Sequence, residues 1–212
     1  GIIGIASDKS VSTNIINSLK RLEYRGYDSA GLATLNNNLI IEKKCSGRVE
    51  QLEKIIFENP VEGNIGIGHV RWATHGIPNT VNAHPHSSEI VSVVHNGIIE
   101  NSDELKRKLE KEGVKFKSQT DTEVITFLIT KALESSDPLD SVFLTLEKLK
   151  GSFALGILFK NHNNIIIGAR RGSPLAVGYA KNENYLGSDS YALKSMTNKI
   201  SYLDDGDVCV IN

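Results

Sequence analysis

Short apolar runs bounded by turn-forming residues dominate this chain, and most have the length and composition of β-strands. The runs are Ile2–Ala6, Ala30–Leu35, Leu39–Lys43, Ile65–Val70, Ile90–His95, Phe153–Phe159, Asn164–Ala169, Leu175–Gly178, Asn184–Gly187 and Asp207–Ile211. Each is rich in Ile, Val, Leu or Phe and ends at Gly, Asn, Asp or Pro. Asn36-Asn37-Asn38 and Asn161-His162-Asn163-Asn164 read as hairpin turns, because Asn tolerates left-handed backbone. Four segments carry helical spacing instead. Ile15, Ile16, Leu19 and Leu22 form one stripe after Ser12 and Thr13; Leu105 and Leu109 mark a second helix from about Ser102 to Glu112, stopped by Gly113. A third is predicted to open on a capping box, Thr120-Asp121-Thr122-Glu123, and to run through Val124, Ile125, Leu128, Ile129 and Leu133. The fourth has Asp137 as cap and Pro138 in its first turn, then Val142, Phe143, Leu146 and Leu149 before Gly151.

Strands therefore outnumber helices about two to one, in runs rather than strict alternation. That predicts an α+β layered fold and argues against a doubly wound parallel sheet. Strands apolar on both faces, such as Phe153–Phe159, are expected between layers, as in two stacked sheets with helices outside. No internal repeat or low-complexity linker divides the chain.

Composition narrows the function without naming it. The 212 residues suffice for one large core. With 23% charged residues and a net charge of −1, there is no electrostatic footprint for nucleic acid. No apolar run approaches the roughly 20 residues that span a bilayer. The short apolar start lacks the basic lead of a signal peptide. Two cysteines, Cys45 and Cys209, make no disulfide framework, so a cytoplasmic location is expected, with both thiols inert.

The chemistry concentrates in a few segments. Gly68-His69-Val70-Arg71-Trp72-Ala73-Thr74-His75-Gly76 mixes an arginine, the sole tryptophan, two histidines and framing glycines where an apolar strand breaks off. Arg71 offers a planar fork of donors suited to a carboxylate, with a surface arginine on a Gly-rich turn as the plainer alternative. Asn96-Gly97 reads as two neutral donors or as a hairpin turn. Five of six histidines, His69, His75, His84, His86 and His95, crowd into one window. Zinc is the rival reading there. Without a His-Glu-x-x-His helix, a Cys pair or an obvious carboxylate ligand, structural histidines are favoured and no metal is expected.

Six segments in register resemble one family. They are Leu22-Glu23-Tyr24-Arg25-Gly26-Tyr27-Asp28-Ser29-Ala30-Gly31, Arg71-Trp72-Ala73-Thr74-His75-Gly76, Asn82-Ala83-His84-Pro85-His86, His95-Asn96-Gly97-Ile98-Ile99-Glu100-Asn101, Thr120-Asp121-Thr122-Glu123 and Gly172-Ser173-Pro174-Leu175. The chain resembles, over essentially its whole length, the class II glutaminase domains of glutamine–fructose-6-phosphate aminotransferases. Related amidotransferases differ in the segments around Tyr24 and Trp72. The resemblance implies a four-layer α-β-β-α sandwich of the N-terminal nucleophile hydrolase type, spanning residues 1–212 as one glutaminase domain. It also implies sugar-phosphate isomerase domains in the full-length protein, which bind fructose-6-phosphate, and a dimer.

The resemblance further implies hydrolysis of L-glutamine to glutamate and ammonia through a thioester, with no cofactor. The family's nucleophile is an N-terminal cysteine, and Gly1-Ile2-Ile3-Gly4 matches the strand directly after it. That cysteine is expected just before Gly1, and the chain without it is expected to be inactive. Asn96 and Gly97 are the expected oxyanion donors. Arg71, with Thr74, His75 and Gly76, is expected on the substrate carboxylate, and Asp121 on its α-ammonium. Trp72 is expected either as a lid or in the core. Arg25 is expected to order the nucleophile's surroundings, or else to form a surface ion pair. A glutamine-binding module without catalysis, or an amidotransferase domain of another class II enzyme, is the alternative.

Overall fold

The structure, a computed structural model, describes residues 1–73, 76–162 and 165–212. Two antiparallel sheets stack face to face. The first has seven strands: β1 (Ile2–Ser7), β2 (Ser29–Asn36), β3 (Leu39–Ser46), β4 (Ile65–Arg71), β9 (Ala176–Ala180), β10 (Glu183–Gly187) and β11 (Lys199–Tyr202), in the order β11-β9-β10-β1-β4-β2-β3. The second has five: β5 (His86–Ser87), β6 (Val91–Ile99), β7 (Gly151–Phe159), β8 (Ile166–Arg171) and β12 (Val208–Ile211), in the order β12-β8-β7-β6-β5. The β2–β3 connection is an Asn turn in which Asn37 and Asn38 take positive φ, 47° and 65°. Asn reaches that region with little strain, which is why it occupies both places.

Helices α1 (Ser12–Leu22), α2 (Val49–Glu58) and α6 (Ser190–Leu193) cover the outer face of the first sheet; α3 (Ser102–Lys111), α4 (Glu123–Ala132) and α5 (Pro138–Leu146) cover that of the second. Three apolar layers result. Ile15, Leu19 and Leu22 of α1 pack on Ile3 and Val70 in one outer layer, while Ile125 and Ile129 of α4 meet Val93 and Leu155 in the other. Ile2, Ile67, Val94 and Leu158 fill the space between the sheets. Each fully buried aliphatic side chain contributes roughly 2 kcal/mol. The strands apolar on both faces are those with a layer on each side.

Several elements depart from the sequence reading. The helix over Val49–Glu58 carries its own stripe, Val49, Leu52, Ile55 and Ile56, which the prediction passed over. Edge strand β11 has a single apolar core contact, Ile200, too little for a pattern. The capping box does not form. Glu123 accepts from the Lys117 and Ser118 amides, while the Thr120 hydroxyl pairs with His86 and Ser118. The Asp137 cap does form, accepting from the Asp140 amide at 3.0 Å. Asn96-Gly97 is not a turn either: both residues lie within β6, opposite Ala154 and Phe153 of β7. The Asn163-Asn164 part of the second Asn-rich segment lies outside the described residues.

Candidate active site

The inward-facing row of β4 reads Ile65, Ile67, His69, Arg71: two apolar positions followed by two polar ones. Period-2 alternation points all four at the opposing sheet. The apolar pair joins the core between the sheets, and the polar pair borders a cavity of about 220 Å³. That size suits a small metabolite rather than a drug-sized ligand. Gly1, Arg25, Arg71, Trp72, Asn96, Gly97 and Asp121 all line it. Segments far apart in sequence therefore converge on one space.

At the floor, Gly1 extends the β1–β4 ladder. Its nitrogen donates to the Val70 carbonyl at 2.7 Å and to Asn96 Oδ1 at 3.2 Å, and its carbonyl accepts from the Val70 amide at 3.0 Å. A terminal amine buried there is pushed from 8.0 down to about 4, first by desolvation and then by the positive charge of Arg25. Asn96 Oδ1 also lies 2.9 Å from His69 Nε2, and Asn96 Nδ2 donates to Ser188 Oγ at 2.9 Å. Gly97 sits at φ +122°, and a Cβ there would fall 2.1 Å from the Ser152 carbonyl oxygen. Only glycine fits.

At the walls, opposite charges face the same space. Arg71 is buried and its Nη2 lies 3.4 Å from the Gly76 carbonyl oxygen. Desolvation lowers its pKa, while the charges of Asp28 and Asp121 raise it. Asp121 is buried at the entrance to α4 and accepts from the Ile99 amide through Oδ2 at 2.8 Å. Gly26 lets the backbone of its turn lie against Arg71, since a Cβ would come within 2.4 Å of the Arg71 carbonyl carbon. Asn82, 1% exposed, ties the Gly76–Ile77 backbone to Gln119: Nδ2 donates to the Ile77 carbonyl at 2.9 Å and Oδ1 accepts from the Gln119 amide at 2.9 Å.

At the rim, Trp72 is 62% exposed and meets Tyr27 edge-on at 6.0 Å, so it is not a core residue. Arg25 borders the cavity and pairs with Asp189 at 2.8 Å. Thr74 and His75 lie outside the described residues.

The histidines form a buried cluster beside the cavity. His69 and His84 stack at 4.2 Å between centroids, and His84 meets His86 at 4.8 Å. Thr122 Oγ1 sits 2.9 Å from both His84 Nε2 and His95 Nδ1, and Thr120 Oγ1 lies 3.0 Å from His86 Nε2. Burial holds His69 and His84 well below the usual imidazole pKa and lowers His86 to about 3. Among the described residues, no group of three or more His, Cys, Asp or Glu is placed to hold a metal ion. Neither cysteine is near this chemistry. Burial raises both thiol pKa values, that of Cys209 to about 11.

A compact space with a fixed cation, a fixed carboxylate and two neutral donors at its base suits a zwitterionic amino acid. Residues 74–195, more than half of the chain, match the family of glutamine amidotransferase domains. The chain belongs to that family. The whole chain is 50% identical to a glutamine–fructose-6-phosphate aminotransferase (isomerizing) of Mesorhizobium japonicum and 51% identical to that of Brucella abortus. It spans about 35% of the length of each of these curated relatives. Among solved structures, it resembles glutamine phosphoribosylpyrophosphate amidotransferase from B. subtilis with TM-score 0.83 and 26% identity, over 100% of this chain and 47% of that one. The two-sheet sandwich is thus the fold of the N-terminal nucleophile amidotransferases.

Sequence reasoning left three residues that brace this cavity without a role. Asn82 and Thr122 fell inside quoted motifs, but their partners Gln119 and His84 are 37 and 38 positions away. Ser188, fully buried just beyond β10, carried no local signal at all.

Proposed function

We propose that this domain hydrolyses L-glutamine to glutamate and ammonia through a thioester, on a cysteine immediately before Gly1. The observation that carries this reading is the pairing of Arg71 and Asp121 on a cavity whose floor is Gly1, Asn96 and Gly97. Arg71 receives the α-carboxylate and Asp121 the α-ammonium. Requiring both charges selects the free amino acid over a glutamine within a peptide.

The side-chain amide then reaches the floor. The cysteine thiol passes its proton to its own α-amino group, which titrates near ~8 in the open. The thiolate adds to the amide carbon, and the carbonyl oxygen becomes an oxyanion facing Asn96 Nδ2 and the Gly97 amide. The carbon–nitrogen bond breaks as the leaving nitrogen takes the proton, releasing ammonia and leaving the thioester. Water then adds, and cleavage of the carbon–sulfur bond returns the thiol and frees glutamate. Neutral donors suit this cycle because they stabilise a charge that exists only transiently. The ladder with Val70 suits a peptide nitrogen at Gly1.

The names of the relatives extend the reading to the whole protein. On this reading, and as the sequence resemblance implies, the ammonia is consumed on further domains in converting fructose-6-phosphate to glucosamine-6-phosphate, in a cytoplasmic dimeric enzyme. A glutamine analogue with an electrophilic ketone in place of its amide tests the site. Peptide mass spectrometry is expected to find one adduct, on the cysteine before Gly1, that excess glutamine suppresses. Labelling at Cys45 or Cys209, or labelling indifferent to glutamine, would contradict the assignment.

A further inference from the structure

An oxyanion donor on a side-chain amide has a weakness that a backbone donor lacks: rotated by half a turn, Asn96 would present its oxygen where its nitrogen is needed. The structure holds the amide from two sides. Oδ1 lies 2.9 Å from His69 Nε2 and 3.2 Å from the Gly1 nitrogen, while Nδ2 donates to Ser188 Oγ at 2.9 Å. Ser188 Oγ also accepts from the Ile2 amide at 2.6 Å, so both of its lone pairs are used. His69 comes from β4 and Ser188 from the end of β10, so the sheet opposite Asn96 supplies every clamp.

The amide orientation and the His69 tautomer are linked: with Oδ1 toward His69, a carbonyl oxygen only accepts, so this arrangement calls for a hydrogen on Nε2. Of the two Asn96 N–H bonds, Ser188 takes one and the other remains for the cavity. With His69 in that tautomer, the reversed amide would set an N–H against the His69 donor. Stacking on His84, itself held by Thr122, fixes the plane of the His69 ring.

We infer that His69 and Ser188 are positioning residues that lock the Asn96 amide with its nitrogen toward the reacting carbonyl, His69 acting as the neutral Nε2–H tautomer. This rests on the glutaminase reading above. The role belongs to orientation in the transition state, so its loss appears in kcat rather than in glutamine binding.

The test uses the full-length enzyme and the variants His69→Phe, His69→Gln, Ser188→Ala and Asn96→Ala, singly and in pairs. Phe keeps a ring but removes the donor; the Gln Nε2 can return a donor at similar reach. His69→Phe is expected to lower kcat for glutamine hydrolysis about 10- to 100-fold with KM within about twofold, and Gln to recover most of the loss. In the Asn96→Ala background, His69→Phe is expected to cost little more, because its effect passes through the missing amide. Ser188→Ala should show the same non-additivity, and it carries the test if His69→Phe fails to fold. Losses that multiply with that of Asn96→Ala, or a KM that rises in step with the fall in kcat, would overturn the inference while leaving the glutaminase reading intact. A parent enzyme that releases no ammonia would overturn both.

Discussion

Acidification from pH 7 to 5 should destabilise this domain far more than its carboxylates would suggest. His69, His84 and His86 are buried and held neutral, with pKa values depressed below 6.5 by desolvation. In the unfolded chain each takes up a proton near 6.5; in the native state it cannot. Stability is therefore fully present above the unfolded pKa and drains away as pH falls toward the native one. For His86, whose native value is about 3, the window runs from 6.5 downward and takes in most of the interval from 7 to 5. Its contribution over those two units is about 2 kcal/mol. His69 and His84 are shifted in the same direction by burial, so both add to the loss. Urea unfolding at half-unit pH steps measures this directly, and the slope of stability against pH counts the protons. Replacing His86 with Gln should reduce the slope. A stability that is flat between pH 7 and 5, or a slope that His86→Gln leaves unchanged, would refute the claim that these rings are neutral and inaccessible.

Arg71→Lys should weaken glutamine binding about 10- to 100-fold with little change in melting temperature, because lysine keeps the charge but loses the planar fork; calorimetry showing unaltered affinity would remove Arg71 from the carboxylate site. Asp121→Asn should weaken glutamine by a similar factor but leave its des-amino analogue unaffected, and equal losses for the two ligands would exclude an ammonium contact. Gly97→Ala combines left-handed strain with a clash against the Ser152 carbonyl, so a loss of about 2–5 kcal/mol in stability is expected, with kcat falling at least about 100-fold. Near-parental values for both would show that the β6 backbone tolerates a side chain there.

The layered fold was legible because the apolar runs are long and the sandwich buries both faces of its central strands; Phe153–Phe159 alone argued for layers on each side. Arg71, Asn96, Gly97 and Asp121 were legible through resemblance, and the structure brings them around one cavity. Local chemistry misled where tertiary partners compete. Glu123 has the spacing of a capping box, yet it captures the backbone amides of Lys117 and Ser118 instead. Asn96-Gly97 has the composition of a hairpin turn, yet nine residues of β6 pair in register with β7 through it. Ser188 could not be read at all, since its partners Ile2 and Asn96 are 186 and 92 positions away.

Ammonia release from three versions of the protein bears most directly on the central claim: the chain beginning at Gly1, the same chain with cysteine before Gly1, and one in which methionine precedes that cysteine and stays uncleaved. The thiol and its adjacent free amine act together, so only the second version should turn over glutamine, while the first should still bind it through Arg71 and Asp121. Serine in place of the cysteine should recover little, because a hydroxyl is the poorer nucleophile near neutral pH. Equal ammonia release from all three versions would contradict the N-terminal nucleophile mechanism.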